Sequence, residues 1–196
     1  MNIEYEATFP DIDKSKSREM LKKAGATLVR REYLQKRFTL SLPDKKMNKV
    51  GWLRVRDEGN KITMSMKKLL GDKIHDQKEI CLEVNNFDQA VKLLTSVGCE
   101  IKSYQETKRE LWKLDGVEIT IDSWPFLEPL IEVEGHSEKD VRLACEKVGL
   151  DYGQALFCAV GTLYEMKYGI PLKIINNQIP KIVFNMENPF LNNQLK

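Results

Sequence analysis

With 196 residues, 42% of them hydrophobic, the chain is long enough to bury one sizeable core, and a single domain is expected. Its 31 basic and 29 acidic residues nearly cancel, which excludes a dedicated nucleic-acid arm or a polyanionic tail. Four scattered cysteines, two histidines and no apolar run of bilayer length exclude a zinc motif, a disulfide framework and a membrane span, and predict a cytoplasmic protein.

The first half of the chain predicts four strands and one helix. The helix begins at Asp13 or Ser15, whose side chains can cap it, and runs to about Ala24, where Gly25 stops it. The turn Glu58–Asn60 predicts a hairpin between the third and fourth strands. The predicted strands are residues 2–9, 27–42, 51–57 and 61–68.

The second half repeats the order strand–helix–strand–strand–strand and adds helices after it. Its first helix runs from about Phe87 to Val97, and another, capped by Ser137, covers 138–148. A short helix is predicted over 156–168, and the segment from Ile170 onward is poorly patterned. The predicted strands are residues 78–84, 99–113, 117–122 and 130–134.

Carboxylates recur on the polar faces of these strands. Side chains alternate between the two faces of a strand, so Glu132 and Glu134 share one face and can meet Asp122 across their hairpin. Glu4 and Glu6 likewise share one face of the first strand. A single acidic pair is typical of a solvated sheet face, so the other strands must decide what these carboxylates do.

Basic residues occupy the polar faces of other strands: Arg54, Arg56, Lys67 and Arg109. One interpretation is an open sheet with helices on its apolar side, where opposite charges form cross-strand ion pairs facing solvent. The other is a sheet closed into a barrel, with helices packed outside and the charged faces lining a hydrated tunnel. Eight predicted strands are many for an open sheet covered by so few helices, which favours the barrel.

A tunnel lined in this way would suit a polyphosphate complexed with a metal ion. Carboxylate oxygens are hard ligands suited to Mg²⁺ or Mn²⁺, and arginines match phosphate oxygens in bidentate fashion. Acids alone would indicate a metal store, and bases alone an anion site. The candidate metal ligands are Glu4, Glu6, Asp122, Glu132 and Glu134.

An ordered set of motifs resembles the CYTH family, the triphosphate tunnel metalloenzymes, which include class IV adenylyl cyclases and thiamine triphosphatases. The motifs are E-Y-E, L-R-V-R, the interior Lys67, Y-Q-E-T-K-R-E-L-W and I-D-S-W-P-F-L-E-P-L-I-E-V-E-G. The resemblance implies an α+β fold, a closed eight-stranded antiparallel β-barrel with helices outside, over residues 1–169. Residues 170–196 would then form a partly ordered C-terminal tail.

The resemblance also implies roles for individual residues. It implies metal binding by the acidic pairs Glu4/Glu6 and Glu132/Glu134 and by Asp122, and phosphate binding by Arg54, Arg56, Lys67 and Arg109. It implies catalytic roles for Glu4, Glu6, Arg54, Arg56, Lys67 and Arg109. Glu83 resembles a further substrate-binding acid on the tunnel wall.

The chain departs from the family pattern at two positions. The opening family motif is E-x-E-x-K, and the last position is Thr8 here, so a cation is missing from that strand face. Lys36 or Lys108 is a candidate replacement for it. The acidic residue often found on the second strand is also missing, near Arg37.

The resemblance implies an enzyme that uses Mg²⁺ or Mn²⁺ to hydrolyse a small-molecule triphosphate, either inorganic triphosphate, thiamine triphosphate or a nucleoside triphosphate. One alternative is a class IV adenylyl cyclase that makes cyclic AMP from ATP. Another is a non-catalytic binder of polyphosphate or nucleotide, suggested by Thr8, and a third is a plain scaffold. No nucleic-acid or membrane partner is expected, and a homodimer is one option for assembly.

Overall fold

A computed structural model describes residues 1–44 and 46–191 of the chain. The helices are α1 Lys14–Lys23, α2 Phe87–Ser96, α3 Glu138–Val148, α4 Val160–Tyr168 and α5 Leu172–Gln178. The strands are β1 Asn2–Ile3, β2 Tyr5–Phe9, β3 Thr27–Leu40, β4 Gly51–Asp57, β5 Ile62–Leu69, β6 Gln77–Val84, β7 Ile101–Leu114, β8 Val117–Ser123, β9 Leu130–Gly135 and β10 Lys181–Ile182. Within these ranges, no helix combines the length and the apolar character that crossing a bilayer requires.

Nine strands form a nearly closed antiparallel barrel in the order β1-β6-β5-β4-β3-β7-β8-β9-β2. β1 pairs with β6 and β2 pairs with β9, so the N-terminal stretch joins the two edges of the sheet. At Glu4, between these two strands, the backbone N–H donates to the Gln77 carbonyl at 3.0 Å. The predicted α+β barrel is confirmed, with one difference. The single strand predicted over residues 2–9 is divided at Glu4, so eight predicted strands become nine.

Hydrophobic side chains cover the outside of the barrel, where the helices pack. On one side, outward residues of β7, β8 and β9 such as Trp112, Ile119 and Val133 pack in one core with Val141 and Cys145 of α3. Because side chains alternate along each strand, this outer hydrophobic face leaves the charged residues pointing inward.

A second core lies where α2 covers the neighbouring wall. There Leu40 of β3 and Val55 of β4 pack against Ala90 and Val91 of α2. Two layers of apolar contact therefore hold the barrel from outside, and its interior is left free for polar groups.

The first three helices lie within one residue of their predicted bounds. Asp13, Asn86 and Ser137 each cap a helix by accepting a backbone N–H with the side chain. Gly149 ends α3 in the left-handed conformation, with φ of 86°. The helix predicted over 156–168 begins only at Val160, because the backbone of Leu156 exchanges two hydrogen bonds of 2.9 Å with Thr8 of β2.

The C-terminal segment contains more structure than its sequence pattern indicates. Helix α5 packs beside α4, and β10 pairs in parallel with β7. Phe190 is fully buried, with its ring centroid 4.3 Å from that of Tyr164 on α4. The division into a domain of 1–169 and a tail of 170–196 stays a prediction, and residues 192–196 of that tail lie outside the described residues.

Candidate functional site

Two cavities of about 330 and 480 Å³ lie inside the barrel. Both are lined by Glu6, Arg56, Lys61, Arg109, Glu118, Glu132 and Glu134. Because they share this lining, we treat them as one central channel. The larger cavity extends to α4 and α5, where Gly161 and Ile175 line it.

Three carboxylates converge in the channel. Glu4, Glu6 and Glu134 each offer one oxygen, and these oxygens lie within 4.8 Å of one another. The barrel closure brings them together, because Glu4 stands at the break between β1 and β2 and Glu6 lies opposite Glu134 in the β2–β9 ladder. We call this group the carboxylate cluster.

Two carboxyl groups of the carboxylate cluster are harder to ionise than they would be in water. Burial raises the pKa of Glu6 well above its usual value, and repulsion from Glu132 and Glu4 raises it further. Burial and the charge of Glu4 also raise the pKa of Glu134. Lys67 donates a hydrogen bond of 2.7 Å to Glu4. Burial lowers the pKa of Lys67, but the charges of Glu4 and Glu6 outweigh that effect, and the net shift is upward.

The other two predicted metal ligands are held by Arg109 instead. Arg109 donates from Nε to Asp122 at 2.8 Å and from a terminal nitrogen to Glu132 at 2.5 Å. Asp122 is 1% exposed, whereas Arg109 and Glu132 are half-buried. Burial lowers the pKa of Arg109, but the attraction of these two carboxylates outweighs it and raises the pKa well above its usual value. The structure thus places three of the five predicted ligands together and two on an arginine.

The predicted phosphate-binding arginines of β4 also face the channel and carry acidic partners. Arg54 contacts Glu79 at 2.9 Å, and Arg56 contacts Glu58 at 2.7 Å. Burial alone would raise the pKa of Glu79, but the charges of Lys67 and Arg54 lower it to about 2. These two acids hold the guanidinium groups in fixed positions along the wall.

Glu79 takes the place expected for Glu83. Both residues share one face of β6, yet Glu79 lines the larger cavity and Glu83 is exposed beyond the lining. Alternation along the strand identifies the face but not the depth at which the channel ends. Glu79 and Glu58 are therefore channel residues that the sequence analysis missed.

Arg37 is a further channel residue that the sequence analysis did not assign to the site. It lies on β3 directly opposite Arg56 in the β3–β4 ladder, is 5% exposed and lines the larger cavity. Lys36 and Lys108, the predicted replacements for the missing cation, are both exposed. The Lys108 ammonium lies over the Phe184 ring, 4.9 Å from its centroid, so it does not replace the missing cation of the channel. Alternation from Gln35 would have identified Arg37.

A nearly closed barrel with helices outside and paired acids and bases inside is a charge-lined barrel rather than an open, solvated sheet. The chain belongs to the CYTH family, since the CYTH domain model matches residues 2–155. The match ends before α4 and α5, so the helices beside the larger cavity lie outside it.

Solved structures share this fold at low sequence identity. The PH1012 protein from Pyrococcus horikoshii OT3 is 18% identical, with a TM-score of 0.67 over 80% of this chain and 96% of its own. A Vibrio parahaemolyticus protein proposed to be an adenylate cyclase is 11% identical, with a TM-score of 0.70 over 83% and 97%. HpAC1 from Hippeastrum, reported to have a dominant triphosphatase activity, is 13% identical, with a TM-score of 0.56 over 87% and 99%. No curated protein sequence matches the chain.

Proposed function

We propose that the protein binds a triphosphate together with a divalent cation in the central channel and hydrolyses its terminal phosphate. The observation that carries this proposal is the convergence of two kinds of group on one channel. The carboxylate cluster offers hard oxygen ligands, and the arginines and Lys67 offer donors for phosphate oxygens. A ligand that contains both a cation and several phosphates matches this combination.

The carboxylate cluster fits a Mg²⁺ or Mn²⁺ ion. Its three oxygens come from separate strand positions and are close enough for one ion to contact all of them. Among the described residues, Glu6 and Glu134 form no ion pair with a basic side chain, so no protein cation competes with a metal ion for their oxygens. When bound, the cation would neutralise charge on the phosphate oxygens and favour displacement at phosphorus.

The basic residues of the chain would bind and orient the phosphates. Glu79 and Glu58 fix Arg54 and Arg56, and Asp122 fixes Arg109, so each guanidinium is oriented before the ligand arrives. Donors held in this way stabilise the negative charge that develops on the phosphate oxygens during transfer. The barrel wall limits the water around them, which strengthens each interaction.

The activity reported for HpAC1 supports a triphosphate as the ligand, because that protein shares the fold over most of both chains. Cyclisation of ATP to cyclic AMP is a second candidate. The lining of the larger cavity favours it, because Trp52, Trp124, Leu172 and Ile175 offer aromatic and apolar surface to an organic group.

Binding without turnover is a third candidate, and Thr8 favours it. This side chain is 4% exposed and neutral, on the same strand as Glu6. A strand face with carboxylates and no cation can still bind a metal complex, but it contributes less to stabilising a transition state.

One assay separates these candidates. The protein is incubated with inorganic triphosphate, thiamine triphosphate or ATP, with Mg²⁺ or Mn²⁺, and phosphate and cyclic AMP are measured. Metal-dependent phosphate release confirms the proposal, and cyclic AMP identifies a cyclase. Metal-dependent binding without turnover indicates a binder, and the absence of both contradicts the proposal. Arg142→Gln, on the exposed face of α3, is the control variant and should match the wild type.

A further inference from the structure

Arg37 is a buried cation without an acidic partner. The other arginines that line the larger cavity each contact a carboxylate: Arg54 contacts Glu79, Arg56 contacts Glu58, and Arg109 contacts Asp122 and Glu132. Within residues 1–44 and 46–191, Arg37 forms no ion pair, although it is 5% exposed. No carboxylate among these residues contacts its guanidinium, and the attraction of Asp122 offsets only part of its charge.

Neutral groups hold the Arg37 side chain in place. One terminal nitrogen donates to the amide oxygen of Gln35 at 2.9 Å and to the Thr107 hydroxyl. Thr107 in turn donates to Gln35 at 3.1 Å, and both residues are fully buried. The guanidinium also lies over the Trp124 ring, 4.6 Å from its centroid. These contacts orient the group without neutralising it, and its Nε has no hydrogen-bond partner in the part of the chain that the structure describes.

The neighbours of Arg37 are positively charged as well. Arg37 faces Arg56 across the β3–β4 ladder, and on the other side β3 pairs with β7, which carries Arg109. Burial, followed by repulsion from Arg56 and Arg54, lowers the pKa of Arg37 well below its usual value. A buried charge among like charges destabilises a fold unless a ligand of opposite charge compensates it.

We propose that Arg37 is a phosphate-binding residue of the larger cavity and that its guanidinium contacts the ligand directly. It faces that cavity together with Arg54, Arg56 and Arg109, and it is not part of the smaller cavity. The inference rests on the proposed function, since it assigns a further contact to the same triphosphate. It differs from the roles of the paired arginines, because the ligand is the counter-ion of Arg37.

The test uses Arg37→Gln, which removes the charge and keeps a polar group near Gln35 and Thr107. Affinity for inorganic triphosphate with Mn²⁺ is measured by calorimetry at fixed ionic strength, beside thermal unfolding without ligand. We expect affinity to fall about 10- to 100-fold, as for loss of a charge-assisted hydrogen bond. Without ligand, we expect an unfolding temperature equal to or above that of the wild type, because a buried charge that is only partly compensated is gone.

Two further variants make the result specific. Arg37→Lys keeps the charge but not the forked donor geometry, so its affinity should lie between those of Arg37→Gln and the wild type. Arg142→Gln, an exposed arginine outside the barrel, should bind like the wild type. If Arg37→Gln does not fold, Arg37→Lys decides: weaker binding supports the inference and unchanged affinity overturns it.

The outcomes separate this inference from the function on which it rests. A folded Arg37→Gln variant with unchanged affinity overturns the role of Arg37 alone, as does a lower unfolding temperature without any loss of affinity. A wild-type protein that binds no triphosphate overturns the proposed function and this inference with it.

Discussion

Glu79 stands between two cations of the channel wall, so its charge contributes to the stability of the empty barrel. Lys67 and Arg54 hold its pKa at about 2, below the ordinary value of 4.5. A group with a lowered pKa stabilises the folded state above its unfolded pKa and loses that contribution as the pH falls toward its folded pKa. The stabilisation by Glu79 is therefore present at neutral pH and lost between about pH 4.5 and pH 2.

Glu79→Gln is expected to lower the free energy of unfolding at pH 7 by on the order of 2 kcal/mol. The loss should shrink as the pH falls below about 4.5, because the wild-type carboxylate is then protonated as well. Urea denaturation at pH 7 and at a pH below about 4.5 measures this difference. Asp115→Asn, which removes an exposed partner of Lys147, is the control and should cost less than about 0.5 kcal/mol. A loss of equal size at both pH values would contradict the assignment.

Glu6 tests the metal site by a different measurement. Mn²⁺ should raise the unfolding temperature of the wild type, because an ion that binds only the folded state stabilises it. Glu6→Gln removes one of three converging oxygens and should weaken this effect by on the order of tenfold in Mn²⁺ concentration. Without metal, the same variant should be more stable than the wild type, because the burial of an ionisable carboxyl and its repulsion by Glu132 and Glu4 are both removed.

Glu83→Gln is the matched control for Glu6, since it removes a carboxylate that is exposed beyond the channel lining. It should leave the response to Mn²⁺ unchanged. If stabilisation by Mn²⁺ weakened equally in both variants, the ion would be binding to general negative charge rather than to the carboxylate cluster.

At the scale of elements, the sequence predicts which face of a strand is charged but not how charges pair. Alternation correctly places Arg54 and Arg56 inside, opposite Leu53 and Val55. It cannot show that Arg109 would bind Asp122, because that contact depends on the register between β7 and β8. A one-residue change of register would have altered every pair.

One channel residue and one helix escaped prediction, each for its own physical reason. Arg37 lies clear of the three register shifts of β3 and shares a strand face with Gln35, but its neighbour Lys36 is also basic, and the charge pattern alone does not separate the two. Helix α5 has a sequence, L-K-I-I-N-N-Q, of weak helix preference, and burial of Ile175 beside α4 stabilises it. For the helix, tertiary contacts outweigh the local pattern.

The packing of α5 on α4 depends on a glycine. A Cβ on Gly161 would lie 3.0 Å from Asn176 Oδ1 and 3.1 Å from Leu172 Cδ2, so these side chains of α5 must move by a few tenths of an ångström to accept it. We expect Gly161→Ala to cost about 1–3 kcal/mol in stability. Because all three residues line the larger cavity, kcat/KM should fall more for ATP or thiamine triphosphate than for inorganic triphosphate.

Gly153→Ala provides the control for Gly161, because its added Cβ meets the end of the Asp151 side chain at the protein surface. That variant should keep both the stability and the substrate preference of the wild type. An equal fall in kcat/KM for organic and inorganic substrates in Gly161→Ala would show that α5 has no part in substrate choice.

At the scale of the whole molecule, the closure of the barrel and the assembly of the site are the same event. Glu4 and Glu6 enter the channel on the stretch that joins β6 to β9. Their partners Lys67 and Glu134 lie on β5 and β9, far apart in the sequence. The carboxylate cluster therefore exists only when β1 has paired with β6 and β2 has paired with β9.

Ala7→Pro tests this dependence on closure. Ala7 is fully buried on β2 opposite Val133 of β9, and proline there would remove a backbone donor at the seam. We expect a loss of about 3 kcal/mol or more, together with aggregation through the freed edges of β6 and β9. Thermal unfolding and light scattering measure both effects, and stabilisation by Mn²⁺ should disappear with them.

Ala159→Pro is the control, because φ is −78° there, in the loop before α4. This variant should remain monodisperse and respond to Mn²⁺. An Ala7→Pro variant that still responds to Mn²⁺ like the wild type would show that the site forms without the seam.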